Sequence, residues 1–452
     1  MHRFRLWTFD PPEFRTQRNR LLPIEGGDGS TLSLNFTTGI LDPRLSFTRS
    51  TIGTYIGSDG LVKTMAAAPT NDPTKARFDH DPTTLAPRGL LIEGTATNLA
   101  LRSQELNTSP WIKAASVTVS QSGSGSPAND STSNIVTWAN GASAGGAYLQ
   151  QNVTVSSGSL VVNTPYTWSV WLKSNSGRRI NIFAFILGVS GNREIRVDFS
   201  VSPPTVSAVA GTGWTSIQTP TITEYPNGWY RITTGGTLPA STTSVNFGFS
   251  NTDVVPGSGT NGFEAWGFQL ESGFGSSSYI PTVGSQVTRE ADFVLMSDIS
   301  SVGFNTVSGG TLFVDWYYTK NNPSSYPCGV GFMGATDSPS PSFEQFTNST
   351  NIHSSARGSS ISNLERLTTY SLNTQLKFAA SFDLTSSPIS LRTNLNGTAA
   401  SDTDAGSGPL FTPTRFVISR PGYGLYLASG IIKTVKYWPI TKTATELASL
   451  VV

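Results

Sequence analysis

The chain has 452 residues, which is enough for two or three domains that each bury a core of their own. Charged residues make up only 13% of it, well below the ~25% of typical soluble domains, so hydroxyl and amide groups must supply most of the polar surface. Such a surface suits a saccharide-facing or structural role, and a net charge of +1 gives no reason to expect nucleic acid or an acidic membrane as a partner.

The cysteine content and the first residues exclude further classes. Cys328 is the only cysteine, which rules out an intramolecular disulfide framework and a zinc site built from several cysteines. Residues 1–22 are broken by charges and by Pro11 and Pro12, and no apolar run approaches the ~20 residues that span a bilayer. We therefore expect a soluble protein with no Sec-type export signal and no membrane insertion.

Residues 1–30 form a basic segment that carries several aromatic side chains. Five arginines stand against two acidic residues before Glu25, which gives residues 1–24 a net charge of +3. The composition predicts an arm that docks on another protein, with these anchoring residues: Arg3, Arg5, Trp7, Phe9, Phe14 and Arg18. The alternative is a frayed terminus, since chain ends are often poorly ordered.

Residues 31–101 contain short predicted strands joined by turns, with a hairpin-turn signal at Ser58–Gly60. The segments SFTRSTIGTYIGSDGLVKT, ARFDHDP and RGLLIEGTATNLAL resemble, in this order, a connector of bacteriophage tail fibres and head spikes. The positions that fit its pattern are Phe47, Arg49, Thr54, Tyr55, Asp59, Gly60, Leu61, Arg77, Phe78, His80, Asp81, Pro82, Gly89, Leu90, Leu91, Ile92, Glu93, Thr97, Asn98 and Leu99.

This resemblance implies a phage virion structural protein that is assembled in the cytoplasm of the bacterial host. The arm would then dock on other virion proteins, and residues 31–101 would be a β connector and oligomerisation segment, typically of a homotrimer. Within the connector, Asp79, His80 and Asp81 could hold a metal or act in catalysis. We favour instead a turn histidine that packs against a neighbouring domain or chain.

Residues 102–287 alternate between apolar and polar side chains in segments such as YTWSVWLKS and GWYRITTGG. In the first of these, Tyr166, Trp168, Val170 and Leu172 share one strand face, which indicates a strand with one buried side. About eight or nine such strands predict a jelly-roll sandwich. LRSQELNTSPWIK, YPNGWYRI and WGFQLESGFGSSSYIPTVGSQVTREAD resemble the module that follows the connector in phage proteins, and this module is similar to galactose-binding-like carbohydrate modules without enzymatic activity.

Residues 288–452 predict a second β-sandwich. Its clearest strands include GGTLFVDWYYT, LKFAASFDL and LYLASGIIKTVKYWPI. TATELASLVV predicts a short helix with Thr443 or Thr445 as N-cap and with Leu447 and Leu450 on one face. The strand GIIKTVKY followed by this helix resembles the concanavalin A-like and laminin-G-like sandwich.

The sequence offers little catalytic chemistry. His2, His80 and His353 lie in different units, and none follows a nucleophile or metalloprotease motif. Two acidic pairs lie on single predicted strands, Glu194 with Asp198 and Glu264 with Glu271. Glu194 and Asp198 are four residues apart and share a strand face, which we interpret as a solvated face. We therefore predict that the protein is not an enzyme and needs no cofactor. A structural calcium ion remains an alternative, with candidate ligands by residue type alone: Asp130, Asp253, Glu264 and Asp337.

Aromatic residues give the stronger case for binding, because sugar rings stack on Trp and Tyr side chains. Alternation predicts that only one of Trp168 and Trp171 faces inward and that at least one residue of Trp316–Tyr318 faces outward. The glycan-binding candidates are Trp171, Trp229, Trp316, Tyr318, Tyr326, Tyr423 and Tyr426. Packing within the core, or contact between subunits, is the alternative for each of them.

These observations predict an all-β protein that serves as a phage tail-fibre or spike subunit and attaches to host surface polysaccharide. Two alternatives stay open. One is a structural baseplate or decoration protein that binds no glycan. The other is a tailspike depolymerase, although the chain lacks the internal repeat of a long β-helix.

Overall fold

The structure is a computed structural model that describes residues 27–122, 125–155, 159–174, 179–189, 191–251, 262–320, 329–334, 342–347, 351–357, 364–404, 411–419 and 429–452. The regular secondary structure of the described part is almost all β-strand, which confirms the predicted all-β class. Most of the predicted docking arm lies outside these residues. In the described part, no helix has the length and apolar character needed to cross a lipid bilayer.

The segment predicted as a connector forms seven short strands, and two of them, β3 and β4, make a hairpin. The strands are β1 (Leu32–Asn35), β2 (Ser46–Thr48), β3 (Gly53–Ile56), β4 (Val62–Met65), β5 (Arg77–His80), β6 (Pro87–Ile92) and β7 (Ala96–Asn98).

The jelly-roll region contains twelve strands, more than predicted, because short strands such as Ile112–Lys113 carry no alternation. They are β8 (Ile112–Lys113), β9 (Val117–Gln121), β10 (Asn134–Trp138), β11 (Tyr148–Thr154), β12 (Pro165–Ser174), β13 (Arg179–Leu187), β14 (Gly191–Asp198), β15 (Thr205–Thr212), β16 (Thr221–Tyr225), β17 (Trp229–Thr237), β18 (Ser244–Asn251) and β19 (Gly262–Ser272). Two six-stranded antiparallel sheets result, ordered β16–β17–β12–β19–β10–β9 and β15–β14–β13–β18–β11–β8. Their inner faces meet in one apolar core, to which β12 contributes Trp168 and its predicted face partners.

The C-terminal region contains the remaining strands and one helix of the described chain. They are β20 (Val287–Arg289), β21 (Phe293–Met296), β22 (Gly309–Lys320), β23 (Val330–Met333), β24 (Ser342–Thr347), β25 (Asn351–Arg357), β26 (Leu364–Thr369), β27 (Gln375–Asp383), β28 (Ile389–Leu395), β29 (Thr398–Asp404), β30 (Arg415–Ser419), β31 (Ser429–Trp438) and α1 (Ala444–Leu450). The helix is as predicted: Thr443 is the N-cap, its hydroxyl accepts from the Glu446 amide, and the Glu446 carboxylate accepts from the Thr443 amide at 2.7 Å.

The first strands of the chain complete the C-terminal sandwich. One sheet is ordered β29–β28–β27–β22–β31–β6–β5, with β1 also paired to β31, and the other is ordered β2–β21–β30–β23–β24–β25–β26. Apolar residues of the connector, such as Leu34, Phe47 and Ile92, share one core with C-terminal residues such as Val314. The predicted connector is therefore not separated from the C-terminal unit at residue 288, because its short strands bury their apolar sides in the C-terminal sandwich. The role of the connector in oligomerisation stays a prediction.

Five fully buried charged side chains join the connector to the segment between the two sandwiches. Asp292 lies between two arginines, with Oδ1 at 2.8 Å from Arg49 Nη1 and Oδ2 at 2.6 Å from Arg77 Nη2. Arg77 Nη1 reaches Glu93 Oε2 at 2.8 Å, and Arg289 Nε lies 3.5 Å from the same oxygen. We call these five residues the buried ionic network.

Further hydrogen bonds connect this network to the surrounding chain. The Glu93 amide donates to Asp292 Oδ2 at 2.9 Å, and the Ser278 amide and hydroxyl donate to the Glu93 carboxylate at 2.7 and 2.6 Å. Burial alone would raise the pKa of Glu93, but the charges of Arg289 and Arg77 and the bonds from Ser278 hold that pKa at about 2. Glu93 is therefore ionised throughout the physiological range.

We expect Asp292→Ala to destabilise the protein by about 3–5 kcal/mol, because it leaves Arg49 and Arg77 buried without a counter-charge. Denaturant unfolding measures this change. Asp298→Ala is the matched control, since Asp298 is exposed, lies only six residues beyond Asp292 and accepts a hydrogen bond from the Ser300 amide. Equal unfolding midpoints for the two variants would contradict the role assigned to the network.

Candidate functional site

A cleft of about 980 Å³ lies where the connector, the jelly roll and the C-terminal sandwich meet. The connector strands β3, β5 and β6 form one wall, and strands β16 and β17 with the loop Phe274–Tyr279 form another. Strand β22 and residues 370–373 close the third side. We call this cavity the junction cleft.

The walls of the junction cleft carry mainly hydroxyl, amide and aromatic groups. Half-buried aromatic rings come from all three units, since Tyr55, Phe274, Tyr317 and Tyr370 line the cavity. The hydroxyl and amide groups are those of Ser216, Gln218, Thr219, Thr221, Thr223, Thr233, Ser276, Ser278, Thr319, Ser371 and Asn373. Most polar groups of the junction cleft are therefore uncharged, as they are in the whole chain.

A second aromatic cluster lies beneath the cleft, on the outer face of the β12 sheet. Trp171 packs edge-on against Trp266 and Tyr279, with ring centroids 5.2 and 5.6 Å apart. Trp229 belongs to the same cluster, and Val62 of the connector covers it from the other side.

Trp171 and Trp229 are 1% and 0% exposed, so neither ring is available to a ligand. The prediction that they bind glycan is wrong. The prediction that only one of Trp168 and Trp171 faces inward is confirmed, since Trp168 lies in the core between the two sheets and Trp171 lies in the cluster on the other face, where it is nevertheless buried. Alternation places Trp168 and Trp171 on opposite faces of β12 correctly. However, the connector covers the face that we expected to meet solvent.

Trp316 and Tyr318 are also buried, at 6% and 1% exposure, in the core of the C-terminal sandwich. Their prediction as glycan-binding residues is wrong as well. Alternation does place one residue of the three outward, and that residue is Tyr317, which is half-buried and lines the junction cleft. The Arg88 guanidinium lies over its ring, 4.3 Å from the centroid.

The remaining predicted site residues lie outside the described part of the chain. These are the glycan-binding candidates Tyr326, Tyr423 and Tyr426, and the docking candidates Arg3, Arg5, Trp7, Phe9, Phe14 and Arg18. Their assignments stay predictions.

Two arginines line the cleft, and they differ in how their hydrogen-bonding groups are used. Arg231 lies over the Trp171 ring at 4.4 Å, and its Nη2 donates to Ser169 Oγ at 3.0 Å and to the Ser277 carbonyl at 2.9 Å. Arg88 contacts Tyr317 and approaches Asp79 only to 3.9 Å, between Nη1 and Oδ2. Arg231 therefore stabilises the wall, whereas Arg88 keeps its donors for other partners.

Asp79 is the cleft carboxyl whose protonation changes near neutral pH. Burial raises its pKa to about 6, while the hydrogen bond from the Ile56 amide and the charge of Arg88 oppose that rise. Its Oδ1 accepts from the Ile56 amide at 2.7 Å. Sequence reasoning assigned Asp79 to a turn, and no pattern in the sequence could have indicated its burial.

The other acidic candidates have structural partners. Glu264 and Glu271 are buried: Glu264 accepts from Ser133, and Glu271 pairs with Lys320. Asp198 is capped by Ser200, and Asn181 donates to Glu194.

His80 is half-buried, with Nδ1 at 3.3 Å from the Ile56 carbonyl oxygen. Of the calcium candidates, Asp130 accepts from Ser126 and Thr132, and Asp253 and Asp337 lie outside the described residues. Among the described residues, no group of three or more His, Cys, Asp or Glu side chains is placed to hold a metal ion.

The sequence matches no protein-family profile and no curated protein. Solved structures to which it is weakly similar include the binding domain of Paraclostridial Mosquitocidal Protein 1, at 9% identity over 37% of this chain and 43% of that one, with a TM-score of 0.27. A Ruminococcus gnavus IT-sialidase CBM40 bound to alpha2,6 sialyllactose matches at 12% identity over 34% and 87% of the two chains, with a TM-score of 0.28.

Domains LG4-5 of the mouse laminin alpha1 chain match at 7% identity over 73% and 91% of the two chains, with a TM-score of 0.25. The present chain thus spans less than half of the mosquitocidal protein's domain. All of these scores are too low to place it in any of the three groups.

The raised pKa of Asp79 predicts how stability depends on pH. Because the folded pKa of about 6 lies above the ~3.9 of an unfolded Asp, ionisation of Asp79 disfavours folding. The stability that depends on protonated Asp79 is fully present below about pH 4. About 3 kcal/mol of the free energy of unfolding is lost as the pH rises through 6. Asp79→Asn keeps an acceptor for the Ile56 amide. Because asparagine does not ionise, the variant does not lose this stability as the pH rises.

Urea unfolding of the wild type and Asp79→Asn between pH 4 and 7.5 measures the effect. We expect the variant to gain stability relative to the wild type as the pH rises, with equal stabilities near pH 4. A constant difference across this range would show that Asp79 ionises normally.

Proposed function

We propose that this chain is a non-enzymatic subunit of a bacteriophage tail fibre or spike, which attaches the virion to host surface glycans through the junction cleft. The virion assignment, the homotrimer and assembly in the host cytoplasm rest on the sequence resemblance of residues 46–101. Labelled antibody on phage particles tests the virion assignment, and the mass of the purified protein in solution tests the homotrimer.

One observation supports the glycan-binding role above others: the lining of the junction cleft. It combines half-buried tyrosine rings, which suit the apolar faces of sugars, with hydroxyl and amide groups and a cation and carboxylate side by side. Its volume of about 980 Å³ lies at the upper end of the ~300–1,000 Å³ typical of ligand sites. An extended oligosaccharide fits such a site better than a compact cofactor does.

The alternative of a polysaccharide depolymerase is worth a direct test, because Asp79 has the raised pKa of a general acid. Glycoside hydrolysis usually needs a second carboxyl about 5–10 Å away across the bound sugar. Glu93 also lines the cleft, but its carboxylate already accepts from Ser278 and pairs with arginines of the buried ionic network. This saturation supports binding without cleavage.

We expect Tyr317→Ala to weaken glycan binding about tenfold, which corresponds to the ~1.4 kcal/mol of one aromatic contact. The variant removes one aromatic side chain from the wall of the cleft, the ring over which the Arg88 guanidinium lies. Tyr148→Ala is the matched control. Tyr148 is also half-buried, but it lies on β11, in the jelly-roll sheet that does not line the junction cleft. Binding is measured on a glycan array and then by calorimetry with the strongest ligand.

Point variants are needed here, since deleting the C-terminal sandwich would remove the partners of β1, β2 and β6. If the wild type binds no host-derived glycan, the structural baseplate or decoration role takes precedence. If the Tyr317 and Tyr148 variants lose binding equally, the glycan site lies elsewhere in the protein.

We expect no reducing ends and no unsaturated sugars when the wild-type protein is incubated with polysaccharide of the host. Colorimetric and ultraviolet assays over a day detect both products. Their appearance in the wild type, with loss in Asp79→Asn, would establish the depolymerase instead.

A further inference from the structure

Asp79 and Arg88 are neighbouring charged groups in the lining of the junction cleft. In the described part of the chain, Arg88 contacts the Tyr317 ring and comes within 3.9 Å of Asp79, a separation too long for a hydrogen bond. Asp79 commits Oδ1 to the Ile56 amide, and its Oδ2 faces Arg88. A charged donor and a charged acceptor thus lie side by side at the wall of a cavity, each with capacity to spare.

The gap between Arg88 Nη1 and Asp79 Oδ2 matches the two-sided chemistry of a hydroxyl group. A hydroxyl both accepts and donates, so one oxygen within normal hydrogen-bond distance of each atom can accept from Arg88 and donate to Asp79. Arg88 has further N–H groups in the same plane, which can serve a second hydroxyl on the adjacent carbon. Tyr317 fixes the plane of the guanidinium by stacking beneath it.

We infer that the junction cleft recognises an uncharged sugar through two adjacent hydroxyl groups, one that bridges Arg88 and Asp79 and one that accepts from Arg88. This inference rests on the proposed glycan-binding function and specifies the ligand class of the same site. Each bridging bond is charge-assisted and therefore stronger than a bond between neutral groups.

The charges around Asp79 disfavour an acidic sugar. A ligand carboxylate bound to Arg88 would lie beside the carboxylate of Asp79, and like charges brought together oppose binding. Glu93 adds a second negative charge, while the positive charge of Arg77 is committed to the buried ionic network. The ring of Tyr225, buried on the same side, offers no compensating cation.

Two other charged groups of the cleft do not change its preference for an uncharged ligand. Asp81 lines the cavity as a further acid, and its Oδ1 caps the amides of Thr83 and Thr84 at 3.0 and 2.8 Å. Arg231 is held by Ser169 and Ser277. Arg88 is therefore the cation of this described cavity that can turn to a ligand.

The sign of the pH dependence separates the two ligand classes. Because the pKa of Asp79 is about 6, only about a tenth of its carboxyl groups are ionised at pH 5. A neutral sugar then loses its charged acceptor and binds about tenfold more weakly than at pH 7.5. An acidic sugar would instead lose a repulsive neighbour and bind more tightly at pH 5.

The experiment uses the full-length protein and an array of neutral oligosaccharides, each paired with the same oligosaccharide capped by a uronic or sialic acid. The strongest neutral ligand is then titrated calorimetrically at pH 5 and 7.5. The proteins compared are the wild type, Asp79→Asn and the charge-matched control Asp72→Asn, whose aspartate caps an exposed turn far along the connector. Circular dichroism confirms that all three are folded at both pH values.

We expect the wild type and Asp72→Asn to prefer neutral glycans and to bind them about tenfold more weakly at pH 5. Asp79→Asn should bind about as weakly as the acidified wild type and show no pH dependence. Binding confined to acid-capped glycans, or tighter at pH 5, would overturn this inference and leave glycan attachment intact. Binding of no glycan at either pH would overturn the proposed function and this inference together.

Discussion

The structure depends on the pairing of three buried arginines with two buried carboxylates between the two sandwiches. Arg49, Arg77 and Glu93 come from the first hundred residues, and Arg289 and Asp292 come from the link between the sandwiches. Charges removed from water are costly to leave unpaired, so each residue of this network requires the others. The network thereby fixes the chain's beginning against its middle, about two hundred residues later.

This constraint also positions the junction cleft. Glu93 belongs to the network and to the cleft wall, and its bonds to Ser278 hold the loop that forms another wall. Strand β6, which precedes Glu93, carries Arg88 and pairs with β31, the neighbour of the β22 strand that carries Tyr317. The geometry of a cleft assembled from three units in this way depends on the buried charges that join them.

Several features could be predicted from the sequence because they depend on neighbours within a few residues. The helix at Ala444–Leu450 with its Thr443 cap follows from a local capping box, and the inward face of β12 follows from alternation. Alternation also required one outward ring among residues 316–318. It could not say which one, because the side of the sheet that the core occupies is set by packing and not by period.

The sequence by itself determined that this chain is all-β, where its strands alternate, and how its one described helix begins, since these follow from short-range spacing and turn chemistry. Only the tertiary structure decided that Trp171 and Trp229 are covered by the connector, that the connector completes the C-terminal sandwich, and that Asp79 is a buried carboxyl beside Arg88. Those outcomes depend on strands separated by hundreds of residues. Burial and electrostatic environment are properties of the folded neighbourhood, which no local pattern encodes.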